Sequence, residues 1–348
     1  MSKNLKYVVL KNGFVFNGEK IYVQSMLNVN SSDLEKNISQ AKSLEKIGCD
    51  IIRVAVPTLQ DVRLISALKK SVSCPIVADV HFSFKIGVMA VKAGADKIRL
   101  NPGNISKEEE LAEIIEVCRK FNVPIRIGVN SGSLQKQVLE KYGRCSSDAL
   151  VESAVRNVDL FEKRFGYKDI VVSIKSSNVL TMIEANKKFR SLRNNPIHIG
   201  VTEAGLKEDS IIKSSIGIGT LLAQGIGETL RVSITGDPLE EVRIGFSILK
   251  ALKLEKGVEI VSCPTCGRTK IEVISIAQKI KESLKNCTKN IKIAIMGCVV
   301  NGPLEAKEAD IGIAGGNKVA VLFKKGEIVR KLKESEIVEV LLKEIEKM

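Results

Sequence analysis

The chain has 348 residues, 44% apolar and 27% charged, with a formal net charge of +14. That length exceeds the usual size of one domain and supports a full core, so one large and one small domain are expected. Aromatic residues make up 4% with no tryptophan, which removes most of the stacking platforms that hold single-stranded nucleic acid. The charge itself permits any anionic partner: a phosphorylated metabolite, an acidic electron carrier or nucleic acid. Forty of the 54 basic residues are lysine, spread as at Lys279, Lys281 and Lys285, the pattern of a solvated face. Met1 to Leu10 hold neither a signal-peptide core nor a membrane-length apolar run. A soluble, cytoplasmic protein with no membrane or nucleic-acid partner is therefore expected.

Taken in chain order, β-branched runs occur at 20–27, 50–56, 75–80, 96–101, 124–129, 169–175, 197–202 and 228–235. Between them lie amphipathic stretches such as Asp33 to Ile47, Leu59 to Lys70 and Lys107 to Phe121. Several open on Ser or Asp and close on a glycine such as Gly48 or Gly94, the usual helix start and stop signals. Apolar strands alternating with helices imply a parallel sheet covered by helices. Eight units in roughly 250 residues fit a closed TIM-like (β/α)8 barrel.

In such a barrel the active site forms where strands end and their loops begin. Those ends carry Gln24, Arg53, Asp79 with His81, Arg99 with Asn101, Arg126 with Asn130, Lys175, Thr202 with Glu203, and Arg231 with Ser233. Four of fourteen arginines thus sit at strand termini, flanked by core residues such as Ile51-Ile52 and Ile98. A cation among core residues is costly unless an anion meets it. Taken singly, each reads equally as a structural ion pair or a ligand contact; their convergence on one barrel mouth favours a multiply charged ligand, because Arg forks hold phosphate oxygens bidentately. Gly217-Ile218-Gly219 through Gly225-Ile226-Gly227 precedes the eighth strand. It is either a set of phosphate-binding backbone amides or a glycine-relieved helix and turn.

Asp237-Pro238 opens a last barrel helix ending near Leu254, and Lys256-Gly257 marks the junction. This gives a barrel domain, 1–255, and a smaller α+β domain, 256–348. The latter reads as a strand at 258–262, a helix near 269–285, a strand at 291–296, a β pair across Gly315-Gly316 and Lys325-Gly326, and a helix from Lys333. Cys263-Pro264-Thr265-Cys266-Gly267-Arg268 follows the first of these strands, and Cys298 follows the other. In an intracellular chain of this size, eight cysteines point to metal or redox chemistry rather than disulfides. Three thiolates so placed suggest one metal centre. Spacing alone also allows a redox pair or a zinc knuckle. Zinc would want a fourth Cys or His, yet His81 and His198 lie on barrel strands and Cys287 reads as a surface helix end. Cys49, Cys74 and Cys118 read as small buried residues without a partner. Glu305 lies seven residues after Cys298, as an oxygen ligand to an exchangeable iron of a [4Fe–4S] cluster or as a cap of the following stretch.

The chain resembles the 4-hydroxy-3-methylbut-2-enyl diphosphate synthase family in its shorter, two-domain bacterial form. The resemblance is carried by Val23-Gln24-Ser25-Met26, Arg53-Val54-Ala55-Val56-Pro57, Ala78-Asp79-Val80-His81-Phe82, Ile98-Arg99-Leu100-Asn101-Pro102-Gly103-Asn104 and Arg126 through Ser133. It continues through Ser173-Ile174-Lys175, Gly200 through Gly205, Arg231-Val232-Ser233 and both cysteine segments. It implies reductive opening of a methylerythritol cyclic diphosphate, with two electrons from ferredoxin or flavodoxin. It further implies that Cys263, Cys266 and Cys298 hold a [4Fe–4S] cluster with Glu305 as the displaceable fourth ligand. Arg53, Arg99, Arg126, Lys175, Arg231 and Ser233 would bind the diphosphate; Asp79, His81, Asn130 and Thr202 would line the pocket; Glu203 would donate a proton. The family's usual second glycine in Asn-Gly-Pro-Gly-Glu-Ala is Leu304 here. A head-to-tail homodimer is implied too. Rival readings are a pterin-binding transferase barrel, which needs no cluster, and a zinc-bearing nucleic-acid-binding protein.

Overall fold

The computed structural model describes residues 5–348 apart from 81–82, 102–107, 286, 288, 299–306 and 318, and without the Ser133 side chain. The chain divides into two compact units, Met1–Leu252 and Lys253–Met348. The first opens with an antiparallel hairpin, β1 (Val8–Val9) and β2 (Val15–Phe16). Eight strands follow: β3 (Tyr22–Met26), β4 (Ile51–Ala55), β5 (Ile76–Asp79), β6 (Lys97–Leu100), β7 (Ile125–Asn130), β8 (Ile170–Lys175), β9 (His198–Ile199) and β10 (Thr229–Leu230). They pair in the order β8-β7-β6-β5-β4-β3-β10-β9, all parallel. A parallel bridge between Val172 and Ile197 joins β8 to the start of β9 and closes the barrel. Strands β9 and β10 are shorter than their apolar runs suggest. Their ladder ends with Arg231 N donating to Ile199 O, and a Cβ on Gly200 would lie 2.3 Å from the Arg231 carbonyl.

Helices α1 (Leu34–Lys46), α2 (Val62–Ser71), α3 (Phe84–Lys92), α4 (Glu108–Phe121), α5 (Lys136–Tyr142), α6 (Ser147–Asp159), α7 (Val179–Leu192), α8 (Lys207–Leu222) and α9 (Pro238–Ala251) fall between and after these strands. Their starts follow from local chemistry: the Asp33 side chain accepts from Lys36 N, Asn178 from Thr181 N and Asp237 from Leu239 N, with Pro238 in the first turn of α9. Each cap satisfies a backbone donor that the first turn leaves without a partner. Outward strand residues such as Val23, Ile52, Val54, Ile98, Ile125 and Ile127 form one core with apolar helix residues.

Period-two alternation turns the other strand residues into the barrel. At its N-terminal end Tyr22, Ile51, Val77 and Val171 pack with Val8, Leu10 and Phe16 of the hairpin, a plug that two-residue strands do not announce in the sequence. Two residues further along the same strands come Gln24, Arg53, Asp79 and Ser173, so the interior changes from apolar to polar within one layer. Lys97 belongs to the lower layer. It is fully buried, its Nζ lies 4.5 Å from the Phe16 ring centroid, and it has no hydrogen-bond partner among the described residues. Burial, and then the neighbouring Arg126 and Arg53, push its pKa well below the ordinary lysine value. The unfolded chain therefore binds a proton that the folded chain resists, so this lysine erodes stability as pH falls below about 10.4. Replacing Lys97 with Met is expected to raise the melting temperature at pH 7 by roughly 2–4 °C for each kcal/mol recovered. The gain should shrink as pH approaches 10; an equal gain at every pH in a melting series contradicts this account.

The second unit is a five-stranded sheet in the order β11 (Val258–Ser262), β12 (Ile291–Met296), β13 (Ile311–Gly315), β14 (Ala320–Lys324) and β15 (Glu327–Leu332). The first three are parallel and the last two antiparallel. Helices α10 (Val273–Ser283) and α11 (Ile337–Glu346) pack Ile276, Ile280, Leu341 and Ile345 against Ile293 and Ile313. Where the sequence suggests one β pair there are two successive antiparallel pairings, the second turning through Lys325 and Gly326 at φ of 47° and 87°, a two-residue turn that suits the twist of its strands. The last helix begins at Ile337 because Lys333–Glu336 form a capped 3-10 turn. Among the described residues no helix is long and apolar enough to cross a membrane.

Candidate active site

The carboxyl ends of the barrel strands bring the expected cations together. Asp79, at the end of β5, accepts from Arg53 Nη2 at 2.5 Å and from Arg99 Nη1 at 3.3 Å. Each of its oxygens is engaged by a different arginine, so this carboxylate joins β4 and β6 across β5. Arg99 reaches over β7 at Gly128, where a Cβ would lie 2.6 Å from its Nε. Arg126 is 1% exposed; its Nη1 reaches Gln24 Oε1 at 3.3 Å and its Nε has no partner among the described residues. Neither Arg126 nor Lys175 pairs with a carboxylate among the described residues. Burial and then the positive neighbours Arg53 and Arg99 hold the Arg126 pKa well below its ordinary value. Burial, followed by Arg126 and Arg231, does the same to Lys175. Arg53 is lowered as well, first by burial.

Arg231 sits beyond β10 and is gripped by Glu241 of α9, Nε to Oε2 at 3.1 Å and Nη2 to Oε1 at 2.8 Å. Lys175 Nζ and the Arg231 carbonyl both crowd the position that a Cβ on Gly200 would take, at 3.1 and 2.3 Å. Five cations therefore share a mouth with two carboxylates, Asp79 and Glu241, among the described residues. Such an excess of buried positive charge is costly unless an anion offsets it. His198, fully buried, places Nδ1 2.8 Å from Thr229 Oγ1, and burial followed by Arg126 and Lys175 holds it well below the ordinary histidine pKa.

The remaining expected residues lie on the loops. Asn130 ends β7 and leads into the 3-10 turn Ser131–Ser133. Thr202 N donates to Ser176 O at 3.3 Å, tying the loop after β9 to that after β8. Glu203 is exposed with φ of 52°, a left-handed conformation that a non-glycine residue adopts at a cost. The Ser233 carbonyl accepts from Ser210 Oγ at 2.7 Å. His81 and Glu305, with Leu304, lie outside the described residues. The glycine-rich segment is the helix-and-turn alternative and supplies no amide cradle. Gly217 and Gly219 lie inside α8, where Gly217 packs closely on Met182 and Val201, while Gly225 and Gly227 turn the chain toward β10 at φ of 70° and 121°. Glu241 escaped the sequence reading. The signal was its place in the buried series Pro238, Glu241, Val242, Gly245 and Ile248, a helical stripe facing the barrel.

In the second unit Cys263 and Cys298 follow the adjacent parallel strands β11 and β12. Gly297 N donates to Cys263 Sγ at 3.1 Å, and Lys270 N donates to Gly297 O at 2.9 Å, so the two loops are stitched together. Cys266 is exposed, and the Arg268 backbone amide above all holds its thiol below the ordinary cysteine pKa, favouring thiolate. Among the described residues no three His, Cys, Asp or Glu side chains are already gathered around one point. The donors are nevertheless soft, Cys266 favours thiolate, and Cys263 already accepts an amide hydrogen bond, which suits a thiolate-bound iron or zinc centre. By contrast, burial pushes the thiols of Cys49 and Cys74 up to about 12, and that of Cys118 upward too, as for inert core cysteines.

A parallel barrel with a cationic mouth, followed by a separate thiol-bearing α+β unit, suits a two-domain enzyme of anionic substrates that uses a metal or redox centre. Residues 6–246 match the GcpE TIM-barrel domain and residues 259–347 the GcpE protein C-terminal domain. The chain belongs to the GcpE family. It is 52% identical over 349 residues to 4-hydroxy-3-methylbut-2-en-1-yl diphosphate synthase (flavodoxin) of Caldanaerobacter subterraneus subsp. tengcongensis, covering 100% of this chain and 98% of that protein. It is 54% identical over 333 residues to the protein so named in Clostridium tetani, covering 95% of each. Among solved structures, dihydropteroate synthase from Yersinia pestis superposes with a TM-score of 0.53 at 13% identity, over 72% of this chain and 100% of that one. The enzyme of that name from Stenotrophomonas maltophilia gives 0.52 at 15% identity, over 70% and 96%. These two likenesses concern the barrel fold alone.

Proposed function

We propose that this chain converts 2-C-methyl-D-erythritol 2,4-cyclodiphosphate to 4-hydroxy-3-methylbut-2-enyl diphosphate, a step of isoprenoid precursor synthesis in the cytoplasm. The observation that carries the reading is the surplus of buried cations at the barrel mouth. Relatives of about half-identical sequence bear the name of this synthase. The reaction consumes two electrons and two protons and releases one water. The C2–O bond of the ring breaks, leaving the diphosphate on the C4 oxygen; the C3 hydroxyl departs as water; a C2=C3 double bond remains.

Arg53, Arg99, Arg126, Lys175 and Arg231, with Ser233, hold the diphosphate, while Asn130, Thr202 and His81 border the carbon skeleton. Asp79 acts through the arginines, since both its oxygens already hold one. Ring opening turns a cyclic diester into a terminal diphosphate that gains negative charge, so fixed cations favour bond cleavage over mere binding. Glu203, held on the strained loop after β9, gives the proton to the departing oxygen. Residues 1–255 thus serve the substrate and 256–348 the redox centre. Cys263, Cys266 and Cys298, with Glu305, would hold a [4Fe–4S] cluster, which when bound supplies electrons singly from flavodoxin or ferredoxin. A head-to-tail homodimer completes the proposal, because cations and thiols lie in separate units and neither suffices.

Two measurements test this. Anaerobically purified protein should contain about four irons and four sulfides per chain with broad absorption near roughly 400 nm; stoichiometric zinc without that band contradicts the proposal. Gly128→Ala moves only the flexible end of Arg99, so the fold should survive while KM for the cyclic diphosphate rises at least about tenfold. An unchanged KM removes Arg99 from the anion site.

A further inference from the structure

Glu241 is the second carboxylate of the barrel mouth, and its side chain is 3% exposed. Four donors converge on it. Arg231 donates through Nε and Nη2 at 3.1 and 2.8 Å, Ser25 Oγ donates at 2.8 Å, and the Ile234 backbone amide donates at 3.3 Å. These come from β3, from the end of β10 and from the loop that follows it. Ion pairing alone needs only the first two. We propose that Glu241 is a positioning residue for the cyclic diphosphate, locking the guanidinium plane of Arg231 and the adjoining Ser233–Ile234 loop in the geometry that receives phosphate oxygens. The inference rests on the reading of Arg231 as a diphosphate ligand given above.

The contacts favour positioning in two ways. A fork held through Nε and Nη2 cannot rotate, yet it leaves three of the five N–H groups of Arg231 without a protein acceptor among the described residues. Ser25 also reaches the Pro238 carbonyl at 3.3 Å, so the carboxylate and the start of α9 share one anchor on β3. A carboxylate in the first turns of a helix is further favoured by the helix dipole. None of the four bonds leaves Glu241 an oxygen free for proton transfer, which separates its role from that of Glu203.

Charge balance and positioning predict opposite signs for Glu241→Gln. The substitution removes a negative charge from a cationic mouth; by Coulomb attraction alone an anion should bind more tightly. It also places an amide donor against the Arg231 and Ser25 donors, so a positioning role makes the anion bind more weakly. The test is calorimetric titration of the full-length, cluster-loaded protein with 2-C-methyl-D-erythritol 2,4-cyclodiphosphate, together with KM and kcat under anaerobic conditions. E241Q is expected to weaken Kd and raise KM by about tenfold with kcat changed less. R231M is expected to weaken binding at least as much, and the double variant no more than R231M alone, because the two residues act as one unit. Unchanged or tighter binding by E241Q, beside weakened R231M, overturns the positioning role and leaves Arg231 as a ligand. Unchanged binding by R231M overturns the ligand reading itself, and the proposal with it. If E241Q does not fold, S25A removes one anchor without altering charge; weaker binding supports the proposal and wild-type binding overturns it.

Discussion

Cys298→Ser is expected to yield a folded protein that, after anaerobic reconstitution, retains little iron or sulfide, lacks the broad absorption near roughly 400 nm and turns over no substrate. The expectation follows from how few thiolates the second unit offers. Cys263 and Cys298 stand at the ends of paired strands and Cys266 on an exposed loop between them, while Cys287 follows α10. Serine keeps the shape of the loop but is a far poorer soft donor at neutral pH, so two thiolates would remain where the proposed cluster needs three. The apolar core of this unit, built on Ile280, Ile293, Ile313 and Leu341, does not involve the thiol, and far-ultraviolet circular dichroism should be unchanged. A Cys298→Ser protein with full iron and sulfide would remove this residue from the ligand set.

Arg126→Met should move stability and binding in opposite directions. Arg126 is almost completely buried, bonded among the described residues only through a 3.3 Å contact with Gln24, and surrounded by Arg53, Arg99 and Arg231. Without an anion that burial is unfavourable, and an unbranched methionine removes the charge while filling most of the space. The melting temperature of the substrate-free protein should therefore rise. Loss of a buried, charge-assisted contact to the diphosphate should weaken binding by about 3 kcal/mol, a KM increase on the order of 100-fold. Strained or costly residues kept for function characteristically show this trade. A variant that loses stability without losing affinity would make Arg126 a structural residue.

Much of this site is legible before any coordinates, for one geometric reason. In a parallel barrel each strand delivers its last inward residues to the same mouth, so a charged residue two places beyond an inward apolar one, as with Ile51 and Arg53 or Val77 and Asp79, announces its destination. The cations are visible in that way because nothing else accounts for them within apolar runs. Carboxylates are harder: Asp79 reads as pocket lining until its oxygens are found divided between Arg53 and Arg99. Glu241 is hidden in a Glu240-Glu241 pair that resembles a solvated helix face, although its partner Glu240 is the one that meets surface Lys207. The plug formed by Val8, Leu10 and Phe16 escaped because two-residue strands have no period to detect. Glycine spacing left two readings open for the opposite reason: Gly217 is small to let α8 approach Met182 and Val201, which leaves the same trace in a sequence as a phosphate loop.

The most direct measurement is an oxygen-free assay of the reconstituted full-length protein with 2-C-methyl-D-erythritol 2,4-cyclodiphosphate and a strong low-potential reductant. Formation of 4-hydroxy-3-methylbut-2-enyl diphosphate, with two electrons consumed for each product, is the predicted result. Iron-loaded protein that leaves the cyclic diphosphate intact under those conditions would contradict the account at its centre.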